Sequence, residues 1–304
     1  MSIVPFLFLS LGCLCLAAVC VVLLFGVRFR RRLRRHPGFS PVKPQSSKVP
    51  QVTYAPADHP TLVELRHTYH LVEIAGSGPE IERFARLMTW VHKLTPRTPW
   101  ATRPDRVNGL FLAREALRNG KRFNCWLYSI VLNDALLALG YSSRVVHLRL
   151  PDETPKESHV VVSVYSDDLE TWILLDADMC AYVTDEAGTP LGVEEIRRRL
   201  IDRRPLRTSD SIRMAYVNWL GKTLVKRLYI WYLSKNIFRI DCHAQSEPDF
   251  ETPLSGRTYL HLIPDGYHDD WLESSPRQTK QGNTIHYLRD SELFWQRPPS
   301  DRRP

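Results

Sequence analysis

Acidic residues are absent from the first 57 positions, and charge of either sign is absent from the first 27. That lopsidedness excludes the obvious reading of a formal net charge of +8, a nucleic-acid-binding face. Arg28, Arg30, Arg31, Arg32, Arg34, Arg35, Lys43 and Lys48 all precede Asp58, and the 33 basic residues left from 41 equal the 33 acidic ones. From residue 58 onward the chain is neutral overall, with no basic patch or recognition motif, so no nucleic-acid partner is expected. Also missing are HExxH, a P-loop, GxSxG, a pair of CxxC motifs and an acidic loop with calcium spacing. Those gaps argue against a metal centre, and no cofactor is expected. Cysteine is scarce as well. Of six, Cys13, Cys15 and Cys20 fall in an apolar stretch, leaving Cys125, Cys180 and Cys242. An odd number without regular spacing is no disulfide framework; a Cys180–Cys242 bridge would require an outward-facing domain. There is no internal repeat.

What is present begins with that apolar stretch. Ile3 to Val27 is long enough to cross a hydrocarbon core of about 30 Å. A cleaved signal peptide would carry a basic n-region, which is missing, and Ser10-Leu11-Gly12 fits a lipobox before Cys13 poorly. The expectation is an uncleaved single-pass helix. Six arginines within eight residues follow it, which predicts a catalytic domain on the cytoplasmic side, the alternative being extracytoplasmic. Such a tract also suits anionic headgroups, at about 1 kcal/mol per basic residue. The expected organisation is a membrane helix with its basic tract over 1–35, a Pro-, Ser- and Gln-rich tether over 36–60, one domain over 61–298 and a disordered tail over 299–304.

Within the domain, Leu62, Leu65, Tyr69 and Val72 predict a first helix ending at Gly76. Ser77 and Pro79 start a second, with Ile81, Phe84, Leu87, Met88 and Val91 inward. Helices over 109–118 and 125–139 follow, the latter stopped by Gly140. Strands are predicted over 143–150, 158–165 and 171–175, then a charged helix over 193–201 and an aromatic-rich one over 211–235. Late strands cover 237–244, 258–263 and 284–288. Helices first and strands afterward, with few parallel crossovers, predict an α+β fold.

Three residues carry the chemistry. Cys125 opens a helix behind Asn124, a good N-cap, so exposed N–H groups and the helix dipole favour its thiolate. His159 begins a valine run next to a loop, where a side chain can reach a neighbouring helix terminus. Asp176 ends the apolar Trp172-Ile173-Leu174-Leu175, and a carboxylate there needs a partner because burying it alone is expensive. A thiol, an imidazole and a carboxylate can serve as nucleophile, base and orienter. Asp178 is the second choice for the acid. Trp126 and Trp100 are candidates to wall the site or assist as an indole. His67 with His70, and Asp241-Cys242-His243, are weaker clusters without a second half.

The block Asn124-Cys125-Trp126, Leu139-Gly140-Tyr141, Ser143-Arg144, His159-Val160 through Val164-Tyr165, Trp172 and Asp176 resembles the transglutaminase-like superfamily, in particular its bacterial domain proteins. The resemblance extends to Ala181-Tyr182-Val183-Thr184-Asp185, Gly188, Glu195-Ile196-Arg197, Lys235 to Arg239 and Phe294-Trp295, and so covers roughly 61–298. It implies a papain-like core, in which the nucleophile's helix packs on an antiparallel sheet supplying histidine and aspartate. Cys125, His159 and Asp176 then take the catalytic positions. Trp126 stands where many bacterial relatives have Arg, and Ala177-Asp178 where Pro often follows the aspartate; both bear on substrate preference.

The expected activity is acyl transfer from a carboxamide or peptide carbonyl through a Cys125 thioester, with a protein or peptide as substrate. The backbone N–H of Cys125 is the expected oxyanion donor. Rival readings are a cysteine peptidase or amidase on the same three groups, and a catalytically silent, membrane-tethered binding module.

Overall fold

The computed structural model describes residues 28–40, 49–151, 158–215 and 217–299. Residues 28–35 are helical (α1) and a short strand β1 (Thr53–Tyr54) follows. Five helices come next: α2 (Pro60–Thr68), α3 (Leu71–Ala75), α4 (Glu80–Lys93), α5 (Gly109–Asn119) and α6 (Cys125–Ala138). Strands β2 (Ser143–Arg149), β3 (Ser158–Ser166), β4 (Thr171–Asp176) and β5 (Ala181–Thr184) lead to α7 (Val193–Asp202), β6 (Arg207–Thr208) and α8 (Lys222–Asn236). The chain continues through β7 (Arg239–His243), β8 (Gln245–Ser246), β9 (Thr258–Leu262), α9 (Asp269–Glu273), β10 (Arg277–Gln278), β11 (Thr284–Leu288) and α10 (Ser291–Phe294).

Alternation along the central strands decides the layering. Val160, Val162 and Val164 of β3, with Ile173 and Leu175 of β4, join one core with α2 to α6. Val161 and Leu174 point the other way, into a second core with α7 and α8. A strand that is apolar on both faces belongs in the middle of a sheet covered on both sides, and β3 does. The sheet order is β10-β11-β9-β7-β2-β3-β4-β5-β6, antiparallel throughout except for β9 with β11. β1 and β8 form a separate parallel pair. The expected α+β architecture is therefore present, as mixed layers around one sheet. Helix α6 is its inner pillar: it packs on β3 and β2 on one side and on α2, α4 and α5 on the other, and every residue from Leu127 to Ala138 is buried.

Two helices differ from expectation. The first is broken at His70, which takes φ 51 and turns the chain so that Leu71 can bury at the head of α3. The region 211–235 is helical as a 3-10 turn at Asn218–Leu220 and then α8, because Gly221 at φ 83 interrupts it. Tyr216 and the tail from 300 lie outside the described residues.

The expectation of a single-pass membrane protein with a cytoplasmic catalytic domain is corrected. Among the described residues no helix is long and apolar enough to cross a membrane. Helix α8, at 15 residues, spans about 22 Å, short of a hydrocarbon core, and carries Lys222, Lys226, Arg227 and Lys235. The stretch 3–27 on which that expectation rested lies outside the described residues. The arginine tract after it lies against the body of the protein. Leu33 is 1% exposed, Arg34 Nε donates to the Ile201 carbonyl at 3.0 Å, and Phe29 meets Trp231. Just beyond, buried Arg197 donates to the carbonyls of His36 and Pro37, and the Ser40 N–H and hydroxyl donate to Asp265 at 2.9 and 2.8 Å.

Candidate active site

Asn124 sets the position of Cys125. Its backbone is extended, at φ −103 and ψ −179, and its side-chain oxygen accepts from the Leu127 N–H at 3.1 Å, capping α6. Cys125 is thus the first helical residue, in the turn whose N–H groups have no intrahelical acceptor. It is half-buried, whereas Cys180 and Cys242 are buried; all three are free thiols. Burial pushes the Cys180 and Cys242 thiols up, the latter to about 11, which keeps them protonated and unreactive.

The register of β3 with β4 brings imidazole and carboxylate together. Val162 pairs with Leu175, so Asp176 falls opposite Val161, two residues from His159 on the same face. His159 Nε2 lies 2.6 Å from Asp176 Oδ2, and both side chains are fully buried. Asp176 is well satisfied: Oδ1 accepts from the Met179 N–H at 3.0 Å, and Oδ2 accepts also from the Tyr229 hydroxyl at 3.0 Å. The Tyr232 ring stands edge-on to His159 at 4.9 Å. Burial alone would lower the imidazole pKa, but the Asp176 carboxylate, with Tyr232 and Cys125, outweighs it and holds His159 well above its usual range. The same burial and carboxylate hold Tyr229 protonated, as a donor.

With Nε2 taken by Asp176, His159 Nδ1 has no regular hydrogen-bond partner. The Cys125 sulfur, a His159 ring nitrogen and an Asp178 carboxylate oxygen all lie within 4.8 Å of one another. Thiol, ring and Asp176 are therefore in one cluster. Asp178 turns toward Arg97, whose Nε donates to both its oxygens at 2.8 and 3.0 Å. Burial and the neighbouring Asp176 push the Asp178 carboxyl up, against the pull of Arg97. Arg97 sits on a loop pinned to the residues just ahead of α6: Thr98 N–H donates to the Phe123 carbonyl at 2.6 Å, and Arg122 to the Arg97 carbonyl at 2.7 Å.

Trp126 is not an unattached wall. Its indole N–H donates to Glu251 Oε2 at 2.7 Å, with the Arg103 guanidinium 5.3 Å above the ring. Trp100 is 86% exposed. His67 and His70 are exposed, and the break at His70 removes their helical spacing. Asp241 pairs with Arg149, while His243 lies beside His147 and Glu251. Arg97, Tyr229 and Tyr232 were not anticipated. For Arg97 the sequence offers only a charged residue between two prolines; for the tyrosines, the inward side of a helix that begins at Lys222 rather than near 211.

The profile of the transglutaminase-like superfamily matches residues 71–177. This chain carries a transglutaminase-like core. The matched stretch holds Arg97, Cys125, His159 and Asp176 and stops short of Asp178, Tyr229 and Tyr232, so the tyrosines that close over the core come from outside it. Among solved structures, similarity is found to a protein of Cytophaga hutchinsonii assigned as a candidate cysteine protease, at 12% identity over 53% of this chain, with a TM-score of 0.30. The chain covers 57% of that protein's length. It is also similar to EGTA-treated LapG of Legionella pneumophila, at 14% identity over 62% of this chain and 98% of that one, with a TM-score of 0.30. No curated protein sequence matches the chain.

Proposed function

We propose that this transglutaminase-like core is an acyl-transfer enzyme that uses Cys125 as nucleophile, His159 as general acid and base, and Asp176 as orienter, acting on a carboxamide or peptide carbonyl of a protein or peptide. The observation that carries the reading is the buried 2.6 Å contact of His159 Nε2 with Asp176, beside the thiol at the head of α6. An imidazole whose pKa stands above its usual range is protonated at neutral pH and favours the thiolate next to it. The thiolate attacks the carbonyl carbon, and N–H groups of the first turn of α6 are suited to receive the oxyanion. His159 gives its proton to the departing nitrogen as the C–N bond breaks, leaving a thioester on Cys125. The now neutral ring takes a proton from an amine or water, whose attack releases the acyl group and restores the thiolate. Asp176, fixed by Met179 and Tyr229, holds the ring throughout.

The test compares the wild type with Cys125→Ala for amine incorporation into a glutamine-containing protein and for ammonia or peptide release. Loss of every signal in the variant, by a factor of about 10⁴ or more, is the expected result. Equal signals from both proteins would leave a binding module as the better reading. Release without incorporation would make water the acceptor, as in a peptidase or amidase.

A further inference from the structure

We propose that His147, His243 and Glu251 bind a divalent transition-metal ion of the zinc type, on the same sheet as the thiol site but independent of it. In the β2–β7 register His147 faces Asp241, so His243, two residues further along β7, lies on the same face as His147. Glu251 enters from the loop after β8, and one ligand atom from each of the three lies within 4.8 Å of the others. His243 Nε2 is 3.1 Å from Glu251 Oε1, close to the edge of about 3.3 Å that a tetrahedron with 2.0–2.1 Å metal bonds would have. His243 and Glu251 are more than nine-tenths buried, and neither Glu251 Oε1 nor the buried His147 Nε2 has a regular hydrogen bond. An inward-turned imidazole nitrogen without a hydrogen bond, beside a carboxylate oxygen that meets the His243 ring at 3.1 Å without a regular hydrogen bond, is what a metal would occupy.

The donor set selects the ion. Two imidazoles and one carboxylate suit zinc and its neighbours, whereas magnesium and calcium want a shell of oxygens. Three protein ligands leave a fourth position for water, and the cavity lined by His243 and Glu251 also takes in polar Asn133, Gln245 and Ser246. The ligands already have outer partners. Glu251 Oε2 accepts from the Trp126 indole, and the nearest cation along β2, Arg149, is paired with Asp241. Among the described residues, the other trio of comparable spacing, Cys125, His159 and Asp178, is less suited, because Asp176 and Arg97 already hold its imidazole and carboxylate. A metal on Glu251 would fasten the loop after β8 through Trp126 to the first turn of α6.

The test is titration of the chelator-stripped full-length protein with Co²⁺ and Zn²⁺, followed by the visible absorption of bound cobalt and by mass-spectrometric metal content. One equivalent is expected in the wild type and in Cys125→Ala. Glu251→Gln and His147→Ala should each weaken binding at least tenfold, with the fold checked by circular dichroism. No bound metal in the wild type, or unchanged affinity in Glu251→Gln, overturns the proposal, as does loss confined to Cys125→Ala. Should the His147 variant not fold, X-ray absorption on the wild type decides the matter: two imidazoles support the site, and one or none refutes it.

Discussion

Two buried imidazole–carboxylate pairs, each with its imidazole on the same sheet, are finished differently. At His159 and Asp176 both carboxylate oxygens are engaged, by Met179, Tyr229 and the ring itself, and a ring nitrogen lies within 4.8 Å of the thiol sulfur. At His243 and Glu251 one carboxylate oxygen is anchored by Trp126, the other meets the His243 ring at 3.1 Å without a regular hydrogen bond, and a second histidine stands close by. A saturated acid fixes a ring in one orientation and leaves it a single proton to exchange. An unsaturated one leaves converging lone pairs. In the two proposals the same residue types serve proton transfer in one place and ligand capture in the other, according to how many donors reach the carboxylate.

The sharpest way to break the contrast is Asp176→Asn. Activity should fall by about 10²–10⁴. With the carboxylate gone, burial is opposed only by the weaker pull of Tyr232 and Cys125, so the His159 pKa should fall from its native position. The pH dependence of Cys125 alkylation measures this, and a profile unchanged from wild type would remove Asp176 as orienter. In the native protein the sign runs the other way. Because folding raises the His159 pKa, its contribution to stability is complete below about pH 6.5 and is lost as pH climbs through the higher folded value.

Asp134 supplies a buried acid with no imidazole at all. It accepts from the Gly109 N–H at 2.7 Å, and burial pushes it up to about 7. A carboxyl raised on folding favours the native state at low pH, and that advantage is lost as pH rises toward 7. Asp134→Asn should therefore stabilise the protein at pH 8 by roughly 2–4 kcal/mol and much less at pH 5, read by denaturant melts. A gain that does not depend on pH would contradict the assignment.

Asp178→Asn sharpens the choice between neighbouring acids. Since Asp178 is directed at Arg97, activity should change by no more than about tenfold, against the far larger loss at Asp176. The reverse order would exchange their roles. The smallest expected effect is Trp126→Phe, which removes the indole donor to Glu251; about 1 kcal/mol of stability should go, by thermal melt, with the thiol still reactive.

Much of the core was legible because period and chemistry coincide. Asn124 followed by an apolar run marks both a cap and the start of α6, and the unbroken valine run of β3 marks a strand. What escaped reading depends on distant segments meeting. Nothing near Asp241-Cys242-His243 announces that His147 and Glu251 will complete it, because one comes from a neighbouring strand and the other from a loop. Tyr229 could not be ranked above the other aromatics of its helix without knowing which side meets Asp176. The break at His70 depends on a left-handed backbone that helical spacing of apolar residues does not reveal.

The anchorage of Arg197 reaches past the catalytic question. Its guanidinium, sunk beneath the surface, leans on two main-chain carbonyls at His36 and Pro37, with Phe39 stacked 4.5 Å away. A shortened protein starting at Thr61, where the hydrophobic rhythm begins, would strip that cover and leave a cation facing an open trench. Solubility and shelf life of any trimmed version should therefore hinge on keeping the few residues that precede Ser40.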